Sequence, residues 1–191
     1  QMNAKRARTL QNLFGHPVPS DPVVFCALDD EGELVGGAVI EMPDIDEIAA
    51  AEPERAKEYS ITHAMLAALF VLPEHRKRGI GAQLLDVAGA AALQRRARWL
   101  DGFVDARNNS ASFYSAAGAE VMPINTGLPP RQPMQVTVGH PPWLNGNWFY
   151  VDLWQSHGHL MRCERHGTAL EFDPGDGGYL RCDECGIPRS S

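Results

Sequence analysis

"LFVLPEHRKRGIGAQLL", residues 69–85, decides the reading of this chain. An apolar run stops at Pro73. His75, Arg76, Lys77 and Arg78 follow at once, interleaved with Gly79 and Gly81, and an apolar helical pattern starts immediately afterwards. The first N–H groups of such a helix have no intrahelical acceptor and carry the positive end of its dipole. Glycine at 79 and 81 removes the side chains that would hold an anion away from those donors. The local chemistry therefore suits a phosphate or pyrophosphate, although a tight strand-to-helix turn with solvated basic residues would use the same letters. The glycine spacing is neither that of a P-loop nor that of a three-glycine dinucleotide fingerprint.

Working outward, "ITHAMLAALFVL" before the loop reads as a buried strand cut off by Pro73. After the loop, Ile80, Leu84, Leu85, Ala88, Ala92 and Leu93 mark one side of a helix running from Gly79 to about Arg98. "WLDGFVDA" is a short strand, and "NNSASFYSAAG" a capped helix ended by Gly118. Upstream, residues 4–14 suit a short helix. Val23 to Leu28 and Leu34 to Met42 form a hairpin around "DDEG", with Cys26 expected in the core. The acidic segment after it should be partly helical and broken near Pro53. An irregular, proline-rich insertion is expected at about 123–147, before "WFYVDLW" returns to strand character.

The segment Arg76-Lys77-Arg78-Gly79-Ile80-Gly81 resembles the pyrophosphate loop of GNAT-type N-acetyltransferases. "FVDARNNSASFYSAAGAEV" resembles the later strand–helix–turn of the same superfamily, with Phe113-Tyr114 followed by Gly118. The resemblance covers roughly residues 20–155. It implies an α/β (α+β) fold with a mixed, mostly antiparallel sheet flanked by helices, splayed where acetyl-coenzyme A inserts. It also implies cofactor contacts from Phe70, Val71 and Leu72 on the strand, and from Arg76, Lys77, Arg78, Gly79, Ile80, Gly81 and Ala82 in the loop. Backbone N–H groups near Val71 and Leu72 would polarise the acetyl carbonyl. Tyr114 would both meet the cofactor and act as the general acid that protonates the departing thiolate, a role its phenol suits. Family members often carry an Asn seven residues before this Tyr. Arg107 stands there instead, and the neighbouring Asn108 and Asn109 are read as helix caps or cofactor contacts. Some relatives use a strand Glu as catalytic base, at a position that Met65 occupies here. His63 and Glu41 are the remaining candidates, beside a water relay with no dedicated base.

The tail of residues 157–191 reads as a separate small unit. Cys163-x-x-His166 and Cys182-x-x-Cys185 are separated by an intervening loop, which suits a closed tetrahedral Cys₃His site for structural Zn²⁺. The pattern resembles a zinc-ribbon or zinc-knuckle module. Metal would supply the stability that so short a unit lacks on its apolar residues alone. A reduced or disulfide-linked set of cysteines with an incidental His is the plainer alternative. Residues 157–191 hold four Arg against six Asp or Glu, so the tail lacks the basic footprint of a nucleic-acid binder.

The composition is that of a globular protein, 44% hydrophobic and 21% charged, able to bury a core. The apolar runs are too short to cross a bilayer and no secretory signal core is visible, which gives a cytoplasmic expectation and no membrane partner. The net charge of −7 argues against broad nucleic-acid binding and favours a basic amine as acceptor. The expected organisation is a catalytic domain of residues 1–155, with an oligomer possible, and a zinc-binding module of residues 157–191. The expected activity is direct transfer of acetyl from acetyl-coenzyme A to an amine. An inactive acyl-coenzyme A-binding module and a zinc-tail adaptor are the rival readings.

Overall fold

The computed structural model describes residues 2–15, 21–43, 45, 49–50, 52–129, 145–162, 165–173 and 179–181; for 2–7, 172–173 and 179–181 it describes the backbone alone. Strands β1 (Val23–Leu28), β2 (Leu34–Glu41), β3 (His63–Val71), β4 (Trp99–Asp105), β5 (Glu120–Val121) and β6 (Gly146–Asp152) form one sheet in the order β1-β2-β3-β4-β6-β5. Every neighbouring pair is antiparallel except β3 and β4. Helices α1 (Met2–Phe14), α2 (Pro53–Thr62), α3 (Ile80–Gln94), α4 (Ala111–Ala116) and α5 (Leu153–His157) flank the sheet. This is the expected mixed, mostly antiparallel sheet between helices.

The parallel pair positions the site. β2 follows β3 along almost its whole length, from Glu41↔Met65 to Gly36↔Val71. β3 and β4, however, pair only from His63↔Trp99 to Leu66↔Gly102. Beyond that point the two strands are no longer paired, and the sheet opens into a V. A register shift between Val39 and Ile40, opposite Ala67, marks the same level on the other side of β3.

Two cores lie on opposite sides of the sheet. The larger gathers Ala64, Leu66, Leu100 and Val104 from the strands with Leu84, Leu85, Ala88 and Leu93 of α3 and Tyr114 of α4. The smaller joins Leu10, Ile45, Ala56 and Tyr59. α5 docks on α3 where Gly89 lacks a side chain, because a Cβ there would stand 2.8 Å from the His157 ring. His157 Nε2 lies 3.1 Å from the Asp86 carboxylate at that contact.

Several expectations need correction. The acidic segment is helical at 49–50 and interrupted at Glu52 as expected, and Pro53 then opens α2, since its missing N–H costs nothing at the first helical position. Ile61 and Thr62 belong to that helix, so β3 starts at His63. β3 is buried only in its first half, while Ala67, Ala68 and Phe70 face outward where β4 has departed. α3 stops at Gln94, because Arg96 adopts a left-handed backbone with φ 70°. Cys26 is exposed: on edge strand β1 alternate residues point out, and it shares a side with Val24 and Leu28. Of the expected insertion, residues 130–144 lie outside the described set, and β6 begins at Gly146.

Candidate functional site

The cationic loop closes the open end of the V. Pro73–His75 make a short 3-10 turn, Lys77 and Gly79 take left-handed backbone (φ 59° and 86°), and α3 starts at Ile80. Gly79 is the N-cap and provides no side-chain hydrogen bond, so the leading amides of a 15-residue helix are left to another acceptor. Arg76 has a structural part, since its Nε donates to Val71 O at 2.9 Å and ties the loop to the end of β3. Arg78 Nη1 stands 3.3 Å from His75 Nδ1, with Arg78 exposed and His75 half-buried.

Gly81 is where the two sequence motifs meet. A Cβ on Gly81 would lie 3.3 Å from the Phe113 ring and 3.7 Å from a methyl of Val71. Phe113 therefore seats α4 against the start of α3 at the end of β3. Tyr114 beside it is buried, stacks on Phe149 with ring centres 3.9 Å apart, and meets the Phe113 ring edge-on. Burial pushes the Tyr114 phenol above its ordinary pKa, which keeps it a proton donor at neutral pH. Among the described residues its hydroxyl has no hydrogen-bond partner.

Asn108 and Asn109 do not cap α4. Ser110 is the N-cap residue but makes no capping bond, its hydroxyl donating instead to Asn108 O at 3.0 Å, and Asn109 sits in left-handed backbone at φ 47°. The local capping is done earlier by Asp105, whose carboxylate accepts the Arg107 N–H at 2.9 Å.

The opposite face of the sheet holds the base candidates. Register aligns Glu41, Met65, Asp101 and Tyr150 across four strands, with Glu120 beyond Tyr150. Tyr150 donates to Glu120 at 2.5 Å. Two residues before Met65, His63 is 2% exposed and lies under Tyr59 of α2, ring centres 4.4 Å apart. Its Nε2 is 3.9 Å from Asp101 Oδ2, and Asp101 is wholly buried. Thr62 spends its hydroxyl proton on Glu58 O at 2.7 Å, so at 2.9 Å its oxygen accepts from His63 Nδ1–H. In the neutral ring Nε2 then presents its lone pair toward Asp101.

Asp101 escaped the sequence reading, although a signal was available. In "WLDGFVD" the period of two puts this carboxylate in line with Trp99 and Phe103, and a charge amid aromatic strand positions is costly to bury without purpose. The aromatic residues on and around β6 are mixed in role, part core and part available to line an acceptor pocket. Trp148 and Phe149 are core, Tyr150 and Trp154 are half-buried, and Trp143 lies outside the described residues. Of the proposed metal ligands, His166 is exposed in a turn, whereas Cys163, Cys182 and Cys185 lie outside the described residues.

Residues 20–118 match the acetyltransferase (GNAT) domain family. No curated protein matches the chain. Among solved structures, nourseothricin acetyltransferase is similar over 69% of this chain and 65% of its own, at 20% identity and a TM-score of 0.46. An acetyltransferase from Bacillus cereus matches over 77% of this chain and 87% of its own, at 16% identity and a TM-score of 0.47. A phosphinothricin acetyltransferase from Sinorhizobium meliloti, solved with acetyl-coenzyme A, matches over 78% of this chain and 66% of its own, at 17% identity and a TM-score of 0.46.

Proposed function

The chain belongs to the GNAT acetyltransferase family, and on that footing we propose that it transfers an acetyl group from acetyl-coenzyme A directly to a primary amine. The observation that carries this reading is the convergence of Gly81, Val71 and Phe113 at the mouth of the V, with the uncapped start of α3 beside it. The α3 amides, with Lys77 and Arg78 nearby, suit the pyrophosphate. The second half of β3, unpaired only on its β4 side, would offer backbone groups around Phe70 and Val71 to the pantetheine arm, whereas the Leu72 N–H is spent on Val35 O at 2.9 Å and cannot join them. Arg76 would hold the loop in shape, given its bond to Val71.

Tyr114 is our general acid. Its ring is fixed by Phe149 and Phe113, and its raised pKa keeps the proton until a thiolate develops beside it. The acceptor must give up a proton, and His63 and Glu41, both on the face opposite α3, are the groups proposed to receive it. Asp101 would stabilise the His63 imidazolium.

The experiment is an assay of free coenzyme A release from acetyl-coenzyme A across classes of amine. Release coupled to an acetylated amine is expected. Tight acetyl-coenzyme A binding with no transfer to any amine would leave only a binding module.

We also propose a structural Zn²⁺ held by Cys163, His166, Cys182 and Cys185. Supporting this, Arg162 bridges Ala169 across the first ligand pair, and strands β7 (Glu171–Asp173) and β8 (Tyr179–Arg181) form a hairpin with Arg181 opposite Glu171. The chain thus enters the second pair beside the strand that leaves the first. One zinc per chain by elemental analysis is expected of protein purified without a metal-binding tag, and metal-free protein with an intact tail overturns it. Among the described residues no helix is long and apolar enough to cross a membrane.

A further inference from the structure

An open cleft of about 530 Å³ lies at the far end of β4, lined by Asp105, Ala106, Arg107, Ile124 and Asn145. Asp105 is an odd-numbered β4 position, like Asp101 and Phe103, so it faces away from the α3 side on which Val104 is buried. It lies three residues past Gly102, where pairing with β3 ends. At about 3.3 Å per strand residue, the cleft is roughly 10 Å from the vertex of the V.

The cleft is pre-organised. Asn145 N donates to Asn125 Oδ1 at 2.6 Å, Asn125 N to Gly146 O at 2.9 Å, and Ala106 N to Asn145 O at 2.8 Å. Asn125 and Asn145 both accept left-handed backbone, φ 61° and 62°, to make this closure. These bonds clasp Asn125 and Asn145 together at the end of β4. Ile124, 52% exposed, adds an apolar wall.

Within it, Arg107 is held in one orientation. Its Nε donates to both Asp105 oxygens, at 2.9 and 3.1 Å, and its Nη2 donates to Oδ2 at 2.5 Å. This uses the side edge of the guanidinium. The end edge, formed by Nη1 and the second Nη2 hydrogen, faces outward, and the side chain is 86% exposed. The pair keeps its charge at every working pH, because Arg107 holds the Asp105 carboxyl down to about 2. An exposed ion pair contributes little to stability, but a guanidinium fixed on one edge has lost the entropy that a free arginine would lose on binding an anion.

We propose that the end edge of Arg107 is a subsite for the acceptor, which is therefore a primary amine that also carries a carboxylate. The amine end would lie at the V and the carboxylate in the cleft, roughly 10 Å away. The inference rests on the acetyl-transfer reading and narrows it: the acceptor is zwitterionic, not simply basic as the net charge suggested. Bidentate pairing of guanidinium and carboxylate supplies the recognition.

The test compares ω-amino acids with alkylamines of equal chain length, using acetyl-coenzyme A as donor. The intact protein should prefer the amino acids by about tenfold in kcat/KM, most at lengths near the spanning distance, with the difference in KM. Arg107→Gln and Arg107→Lys should both bring that ratio toward one. Lysine fails because a single ammonium cannot serve Asp105 and a second carboxylate in fork geometry. Equal use of both series by the intact protein overturns the proposal. So does a fall in acetyl-coenzyme A affinity in Arg107→Gln that disappears with dephospho-coenzyme A, since the anion is then a phosphate of the donor. Absence of transfer to any amine in the intact protein is a different failure and sinks the acetyltransferase reading itself.

Discussion

The two halves of the β3–β4 pair differ in almost every property although the same two strands build both. From His63↔Trp99 to Leu66↔Gly102 the strands are hydrogen-bonded, and they enclose His63, Trp99 and Asp101, each 5% exposed or less. Beyond Gly102 they are unpaired, and Ala67, Ala68 and Phe70 are exposed. A central parallel pair normally stays paired and covered along its length. Here the closed half keeps polar groups in the dark, and the open half leaves backbone and apolar surface for a ligand. One half supplies rigidity and charge, the other supplies access.

The largest effect expected on this contrast comes from Gly81→Glu. It places bulk and negative charge at the start of α3, where an anion would bind, and should lower acetyl-coenzyme A affinity at least about a thousandfold, or ~4 kcal/mol. The closed half should not notice, so the fold is expected to remain. Gly81→Ala is the sharper control. Its Cβ would meet the Phe113 ring at 3.3 Å, a contact the ring can relieve by a small shift, so affinity should fall only slightly. Calorimetric titration with acetyl-coenzyme A checks both, and an unchanged affinity in Gly81→Glu removes the open half from the binding site.

How far this contrast could be read from sequence follows the reach of each interaction. The loop was legible because its function rests on consecutive residues: a proline stop, a basic cluster, and glycines at fixed offsets. Phe113-Tyr114 was legible in the same way, and the structure adds that Phe113 is what seats α4 over Gly81. The exposure of the second half of β3 was not legible. Nothing in "AALFV" says that the neighbouring strand leaves, since that depends on a partner more than thirty residues away. The Asp101–His63 pair is non-local for the same reason. The Arg107 fork was hidden differently, because "DAR" names both members but not the cleft that their neighbours Ile124 and Asn145 close. Pro53 was legible as a break, and the structure adds that the same proline starts the next helix.

Asp101→Ala attacks the closed half and should do the reverse of Gly81→Glu. It removes a buried carboxylate beside His63 and leaves a cavity at a wholly buried position, which should cost about 3 kcal/mol of stability. Denaturant unfolding reads this as a lower midpoint at constant slope. Acetyl-coenzyme A affinity of the folded fraction should hold. Lost affinity at normal stability would mean that the two halves are not separate, and that the buried pair reaches into the binding site.

The smallest and most discriminating change is Tyr114→Phe, because Tyr114 lies in the core on the α3 side and yet is assigned chemistry at the open end. Deleting one oxygen preserves the stack on Phe149, so packing should survive, while turnover on a true acceptor should fall about a hundredfold, or ~2.7 kcal/mol. Stability provides an independent readout, with a definite sign. Burial raises the folded phenol's pKa above the unfolded value near ~10. The tyrosine's contribution is therefore complete below that pH and lost as pH climbs toward the folded value, where the unfolded chain ionises and the native one resists. The wild type should thus lose stability relative to Tyr114→Phe above about pH 10 and hold a constant difference below it. If turnover stays normal while that alkaline loss is seen, Tyr114 is a buried packing residue, and the proton for the leaving thiolate must come from elsewhere in the open half.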